Sequence, residues 1–449
     1  METALRGRIG QMEEAEGLQN SWRRLAFWML NAVIVVAGAS VAFGRMPWDA
    51  QRTIWAEDGG IFLNDALNGS GWAGIFSPYE GYLHIVPRLG ANLVASFVPV
   101  QGYGIAMNYA SCLVVSLVAL CVFYLSKSVV GNTLIRVCLA SLVIFVAPGP
   151  LETLANFANV HWYLLWLTPW LLMAQAQSRA GRFGLFALSL LVSLTEILSL
   201  LFVPLFLYDL RNRSKWFART GLLLGLLCQV LTTLSFPRSP SSGYPVNLLS
   251  VLEGWFLNSS SALMFGNSVT IAGLIQAYGP LPIVCAAIPF LVVFIFIMWK
   301  GNSVHRLVAA VMVLASFGTW AATQVVNPQS FFDYSTFTNA DWDRFFLSRY
   351  STAPSTFLLA LLPLAAAVLA PLSRAAAAAI LGGFLVLQLV FFFPTVVART
   401  GGPVWSDGVN AGRAACQQDP GLAEAGVQIA PKGWFADKVY VRCDKLRDE

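Results

Sequence analysis

The chain has 449 residues, 57% of them hydrophobic and 11% charged, with a formal net charge of +5. Soluble domains carry about 25% charged residues, so this composition excludes an ordinary globular protein and points to a chain that crosses a membrane repeatedly. The mean hydropathy of +0.65 agrees, the 15 Trp suit water–lipid boundaries, and so small a positive charge calls for no nucleic-acid partner.

The first 25 residues, polar and mixed in charge, are too long and too acidic for the n-region of a cleaved signal peptide and read as a cytoplasmic tail. Arg6, Arg8, Arg23 and Arg24 hold it inside. Residues 26–45 form the first apolar run near the ~20 residues a crossing needs. Residues 46–103 are then a first external loop, which contains "WAEDGGIF" at 55–62. Within it, 84–99 is apolar but starts with Arg and Asn and has Pro near both ends, and the next long run, 104–126, leads to Lys127 and Arg136. Keeping those two cations inside requires 84–99 to lie in the outer interface rather than to cross.

Residues 133–148 cross outward and 162–177 return to Arg179 and Arg182. The apolar stretch 184–208 has basic flanks on both sides and Glu196 near its middle. One straight span would expel a basic cluster, so a hairpin turning at "SLTEI" is expected. Residues 217–236, 280–299, 304–325, 351–372 and 375–396 complete the bundle. External loops follow at 237–279, with the turn-rich "FPRSPSSGYP", and at 326–350. The expectation is an all-α polytopic membrane protein with a transmembrane bundle over 26–396, about eleven membrane segments, interfacial helices in the first external loop, and a small extracytoplasmic cap over 397–449. Cys416 and Cys443 sit in that cap, where an oxidising compartment favours a disulfide between them.

Sorted by side, the polar residues gather outside: Glu57, Asp58, Asp65, Glu80, His84, Arg88, Glu152, Asn156, Asn159, His161, Arg238, Asp333, Asp341, Asp343, Arg344, Arg349 and Tyr350. The inner face offers mainly isolated Arg and Lys. No P-loop or GxGxxG motif is present, and the three His are scattered without metal-ligand spacing. A divalent metal is therefore not supported, although Asp341-Trp342-Asp343 has the form of an acidic metal-binding pair.

An acidic pair just after the first span, interfacial helices in the first external loop, many further membrane segments and the late external "DWDRFFLSRYSTAP" resemble the polytopic GT-C glycosyltransferases. "EDG", "GYLHIVPRL" and the tail also look like a group of bacterial membrane proteins, which implies the inner or plasma membrane of a bacterium. The resemblance implies transfer of a sugar from a polyprenyl-phosphate donor to a lipid- or polymer-linked glycan acceptor on the extracytoplasmic face, with no nucleotide or other cofactor required. A hydroxyl is a weak nucleophile and must lose its proton as it attacks the anomeric carbon, so a carboxylate base is needed. Asp58 is the first choice and Glu57 the second. Asp58 also suits the plain N-cap of "GGIFLNDAL". Arg88 and Arg349, then Arg344, suit the donor phosphate, or ordinary lipid headgroups. Glu80, His84, Glu152, Asn156, His161 and Tyr350 are candidates for sugar contacts, or simply polar loop residues. Glu196 suits a site-facing tip or the hairpin's own turn. The competing reading is a transporter or flippase of lipid-linked sugars.

Overall fold

The computed structural model describes residues 2–238, 244–394 and 396–448, with side chains from residue 21 to 447 in those stretches. Ser239–Gly243 of the expected turn-rich loop, and the side chains of Arg6 and Arg8, lie outside the described residues. Numbering only the longer α-helices, the order is α1 Glu2–Gly44, α2 Ile85–Phe97, α3 Tyr103–Leu125, α4 Thr133–Phe145, α5 Val160–Met173, α6 Arg179–Ser193, α7 Trp216–Ser235, α8 Leu248–Phe256, α9 Ser268–Tyr278, α10 Leu281–Lys300, α11 Ser303–Val326, α12 Thr352–Leu359, α13 Leu361–Leu369, α14 Arg374–Leu389 and α15 Trp405–Gln418. Among the described residues, one antiparallel pair of strands follows, β1 Glu424–Gln428 and β2 Lys438–Arg442.

Among the described residues, 7 helices are long and apolar enough to cross a membrane: Ser21–Gly44, Val100–Ser128, Thr133–Glu152, Arg213–Ser235, Leu281–Lys300, Ser303–Val326 and Arg349–Leu369. The chain is thus a mostly helical polytopic membrane protein. The other expected segments are shorter than the ~20 residues of a full crossing. α5 has 14 residues and every one is buried. A helix apolar on all sides belongs in the middle of a bundle, and α5 packs against α3, α6, α12 and the 197–207 segment. α14 has 16 residues.

The 184–208 region goes out and back. α6 and α7 run parallel: Arg182 lies 5.6 Å over the Phe217 ring near their starts, and Gln229 Nε2 donates to the Ser193 carbonyl at 3.1 Å near their ends. Gly221 permits this approach, since a Cβ there would strike the Phe186 carbonyl. Two parallel neighbours require a return between them, which Ile197–Leu207 supplies as a 3-10 segment. Glu196 stands at the turn and caps that segment through Leu198 N–H at 2.6 Å.

The cap is a unit docked on the first loop. Ala425 and Val427 of β1 and Val439 and Val441 of β2 turn inward, as the period of two demands, and α15 covers them through Val409 and Cys416. Cys416 and Cys443 are disulfide-bonded. Docking is by backbone: Ala56 N–H donates to Ala430 O at 2.5 Å and Ala430 N–H to Ile54 O at 3.1 Å. Gly60 faces the Ala436 carbonyl and Trp434, where a Cβ would collide. The glycines after the acidic pair therefore serve cap docking.

Candidate functional site

Trp55 bridges Ala430, and Ala56 is then held at φ +40°, an unfavourable value for a residue with a Cβ. Glu80 and Ala155 also have positive φ, and all three lie on segments around one cavity. Such strain persists where surrounding contacts over-determine the backbone, as they do at binding sites.

The turn at Ala56 starts a helical segment, so Glu57 and Asp58 project about 100° apart. They meet different surroundings. Asp58 is 1% exposed. Its two oxygens accept the peptide N–H groups of Phe157 at 2.7 Å and Ala158 at 2.6 Å. Burial pushes its carboxyl up to about 7, opposed by those two peptide hydrogen bonds and by nearby Arg399. Arg399 in turn donates to the carbonyls of Leu154 and Ala155 and to Asn108 Oδ1, and Asn108 Nδ2 donates to the carbonyls of Ala50, Gln51 and Thr53. Asp58 belongs to this buried knot, which ties the first loop, α3, the 154–158 turn and the start of the cap together. It caps neither its own helix nor lines the cavity.

Glu57 does line it. Its Oε1 is 3.3 Å from Arg349 Nη1, and its Oε2 is buried with no hydrogen-bond partner. Arg349 is fixed from behind by Glu152, which accepts its backbone N–H at 2.9 Å and approaches Nη1 at 3.7 Å. The cavity has a volume of about 440 Å³. The first loop contributes Glu57, Phe62, Tyr79, Glu80, Tyr82 and His84; the start of α5 contributes Asn159, His161 and Trp162; the cap contributes Trp434 and Phe435. Ile197, Leu198, Ala322 and Val326 form an apolar side between the hairpin tip and the end of α11.

Two histidines face this space with different partners. His84 Nδ1 donates to the Tyr82 carbonyl at 3.2 Å and its ring lies 4.0 Å from the Tyr82 ring. Burial lowers its pKa to about 3, so it is neutral and presents Nε2 as an acceptor. His161 Nδ1 is hydrogen-bonded to Glu196, which is 2% exposed, and its ring lies tilted at 4.4 Å from the Trp162 ring. Arg238 and Glu80 pair at 2.8 Å on the rim.

Of the residues singled out from sequence, the fold brings Glu57, Glu80, His84, Asn159, His161, Glu196, Arg238, Arg349 and Tyr350 to the cavity wall. Glu152 stands behind Arg349. Asp58 is displaced into the buried knot for the reason given. Arg88 is 3% exposed and is taken up by Asp65 at 2.8 Å and by the Phe62 ring. Asn156 is fully buried, its Oδ1 accepting Asn159 N–H. Arg344 is exposed and does not line the cavity. Tyr79, Tyr82, Trp162, Trp434 and Phe435 were not singled out. The clearest signal for the hairpin tip was Glu196 in an apolar run, and the aromatic pair in "KGWFAD" was visible only as part of the tail.

Among the described residues, no group of three or more His, Cys, Asp and Glu is arranged to hold a metal ion. Asp341 is engaged by Thr338 N–H at 2.9 Å, and Asp343 by Gln276 at 2.9 Å. No protein-family model, curated protein or solved structure matches this chain.

Proposed function

We propose that the chain is a membrane glycosyltransferase of the GT-C type, moving a sugar from a polyprenyl-phosphate donor to a hydroxyl of a lipid- or polymer-linked glycan. The reaction takes place in the cavity between the first loop, the start of α5 and the cap, on the extracytoplasmic side in this reading. The observation that carries the proposal is Glu57 on the cavity wall: one of its oxygens is held by Arg349, and the other is buried without a hydrogen-bond partner. That second oxygen takes the proton of the acceptor hydroxyl as its oxygen attacks the anomeric carbon. The bond from that carbon to the phosphate oxygen breaks, its electron pair leaves with the phosphate, and the anomeric configuration inverts.

Charge grows on the departing phosphate, and a guanidinium at the wall suits it. Arg349 fills that role, with Arg238 at the rim as the second cation. His84 Nε2 and the His161–Glu196 pair suit sugar hydroxyls. The aromatic faces of Trp162, Trp434 and Tyr82 suit the apolar face of a sugar ring. The apolar side formed by Ile197, Leu198, Ala322 and Val326 gives the donor's isoprenoid chain a path toward lipid.

The test is consumption of radiolabelled polyprenyl-phosphate sugars by the purified protein with candidate acceptors. Transfer from one donor, with carrier phosphate released, is expected. Movement of intact lipid-linked sugar across vesicles without cleavage of the sugar–phosphate bond would instead make it a flippase.

A further inference from the structure

The opposite end of α6 and α7 carries a second candidate binding site, independent of the reaction proposed above. Because these helices are parallel, their N-termini lie side by side, and two positive dipole ends coincide. Cations are favoured at helix C-termini. Here Arg179 and Arg182 occupy the first turn of α6, while Arg213 and Lys215 immediately precede α7 and Arg219 lies in its first turn. Asp209 offsets one of these charges, at 3.3 Å from Lys215. Arg219 is fully buried behind these residues, donates to the Tyr208 carbonyl and lies over the Phe206 and Trp216 rings, with Nε and Nη1 left without a hydrogen-bond partner. The end is therefore electrostatically frustrated, and an anion would relieve it.

A groove of about 640 Å³ opens over this end, lined by Arg179, Arg182, Arg213, Phe183, Phe186 and Trp216 among others. Its aromatic wall faces outward: Phe183 is 70% exposed and Trp216 40%. A water-soluble anion gains nothing from such a wall, whereas a lipid places its phosphate among guanidiniums and its chains along aromatic and aliphatic side chains. Leu223, Leu224 and Leu227 continue that exposed apolar surface along α7. The first turn of α6, on the groove, is separated from the Glu196 tip by the length of that helix, about 22 Å for its 15 residues at 1.5 Å each.

We propose that this groove is a specific site for an anionic lipid, whose phosphate is held by Arg179, Arg182 and Arg213 and whose acyl chains lie against Phe183, Phe186 and α7. Basic residues at this end would also serve topology alone, and the experiment separates the two roles. Native mass spectrometry of the full-length protein in detergent would measure binding of dioleoyl-phosphatidylglycerol and of dioleoyl-phosphatidylcholine, with sodium pyrophosphate as competitor. The wild type should prefer phosphatidylglycerol by about 10- to 100-fold, and Arg179→Gln/Arg182→Gln/Arg213→Gln should lose that preference. Phosphatidylglycerol should also raise the thermal midpoint of the wild type and not that of the triple variant. Should the triple variant fail to fold, Arg213→Gln alone should weaken phosphatidylglycerol by about fivefold in the same assay. Equal binding of the two lipids, or unchanged preference in the variants, would leave a topological role only and overturn the proposal. Displacement by pyrophosphate would overturn it in favour of a soluble anion.

Discussion

Glu57 and Arg349 are 292 residues apart in the chain and 3.3 Å apart in the fold. The contact joins the first loop to the start of α12, and Glu152 holds Arg349 from the other side. One Glu57 oxygen is thereby oriented while the other has no hydrogen-bond partner. Glu57→Gln is expected to keep the fold and to lower kcat by about 10²- to 10⁴-fold, the usual weight of a general base. Steady-state kinetics of the purified variant check this, and a wild-type kcat would remove Glu57 from the chemistry.

Asp58→Asn should act on stability instead. Both Asp58 oxygens receive peptide N–H groups. An amide retains one acceptor and turns its own NH₂ toward the other donor, leaving two N–H groups opposed in a buried place. The expected loss is about 2–3 kcal/mol, read as a lower thermal midpoint in detergent, with kcat per folded molecule close to wild type.

His84 gives a pH dependence whose sign follows from its burial. In the unfolded chain the ring takes up a proton at its ordinary 6.5, whereas in the fold its pKa is lowered to about 3. The unfolded state therefore binds more protons between these values. His84's contribution is fully present above pH 6.5 and is lost as pH falls toward 3. By pH 5 the loss is about 2 kcal/mol. His84→Gln, which does not titrate, should lose about that much less stability than wild type between pH 7.5 and pH 5 in chemical denaturation. Parallel losses in both proteins would contradict the buried neutral state.

The Cys416–Cys443 disulfide closes a loop of 27 residues in sequence separation. A bridge of that span is worth about 3–4 kcal/mol. The cap it stabilises docks on Ile54 and Ala56 and supplies Trp434 and Phe435 to the cavity. Reduction, or Cys416→Ser with Cys443→Ser, should therefore lower the thermal midpoint and also raise the KM for donor or acceptor. A lower midpoint with unchanged KM would make the cap a purely structural element.

The helical membrane character was legible because lipid imposes a simple requirement on apolar length, which the long helices meet. The hairpin at 184–208 followed from its two basic flanks, and the parallel α6 and α7 have the geometry that such a hairpin requires. The acidic pair was legible as a place and not as a choice. Which of Glu57 and Asp58 faces the cavity depends on a turn at Ala56 fixed by Ala430, on peptide groups 99 and 100 residues away at Phe157 and Ala158, and on Arg399. Arg88 had the polarity and setting of a phosphate ligand, yet Asp65 engages it within the same loop. The contribution of Trp434 and Phe435 arises only when the cap docks, a tertiary event without a local pattern.

The most direct measurement is transfer of radiolabelled sugar from a polyprenyl-phosphate donor, comparing wild type, Glu57→Gln and Asp58→Asn at equal concentrations of folded protein. Transfer by wild type, near-complete loss in Glu57→Gln and retention in Asp58→Asn are expected. Absence of transfer from every polyprenyl-phosphate sugar, or full activity in Glu57→Gln, would contradict the proposed reaction.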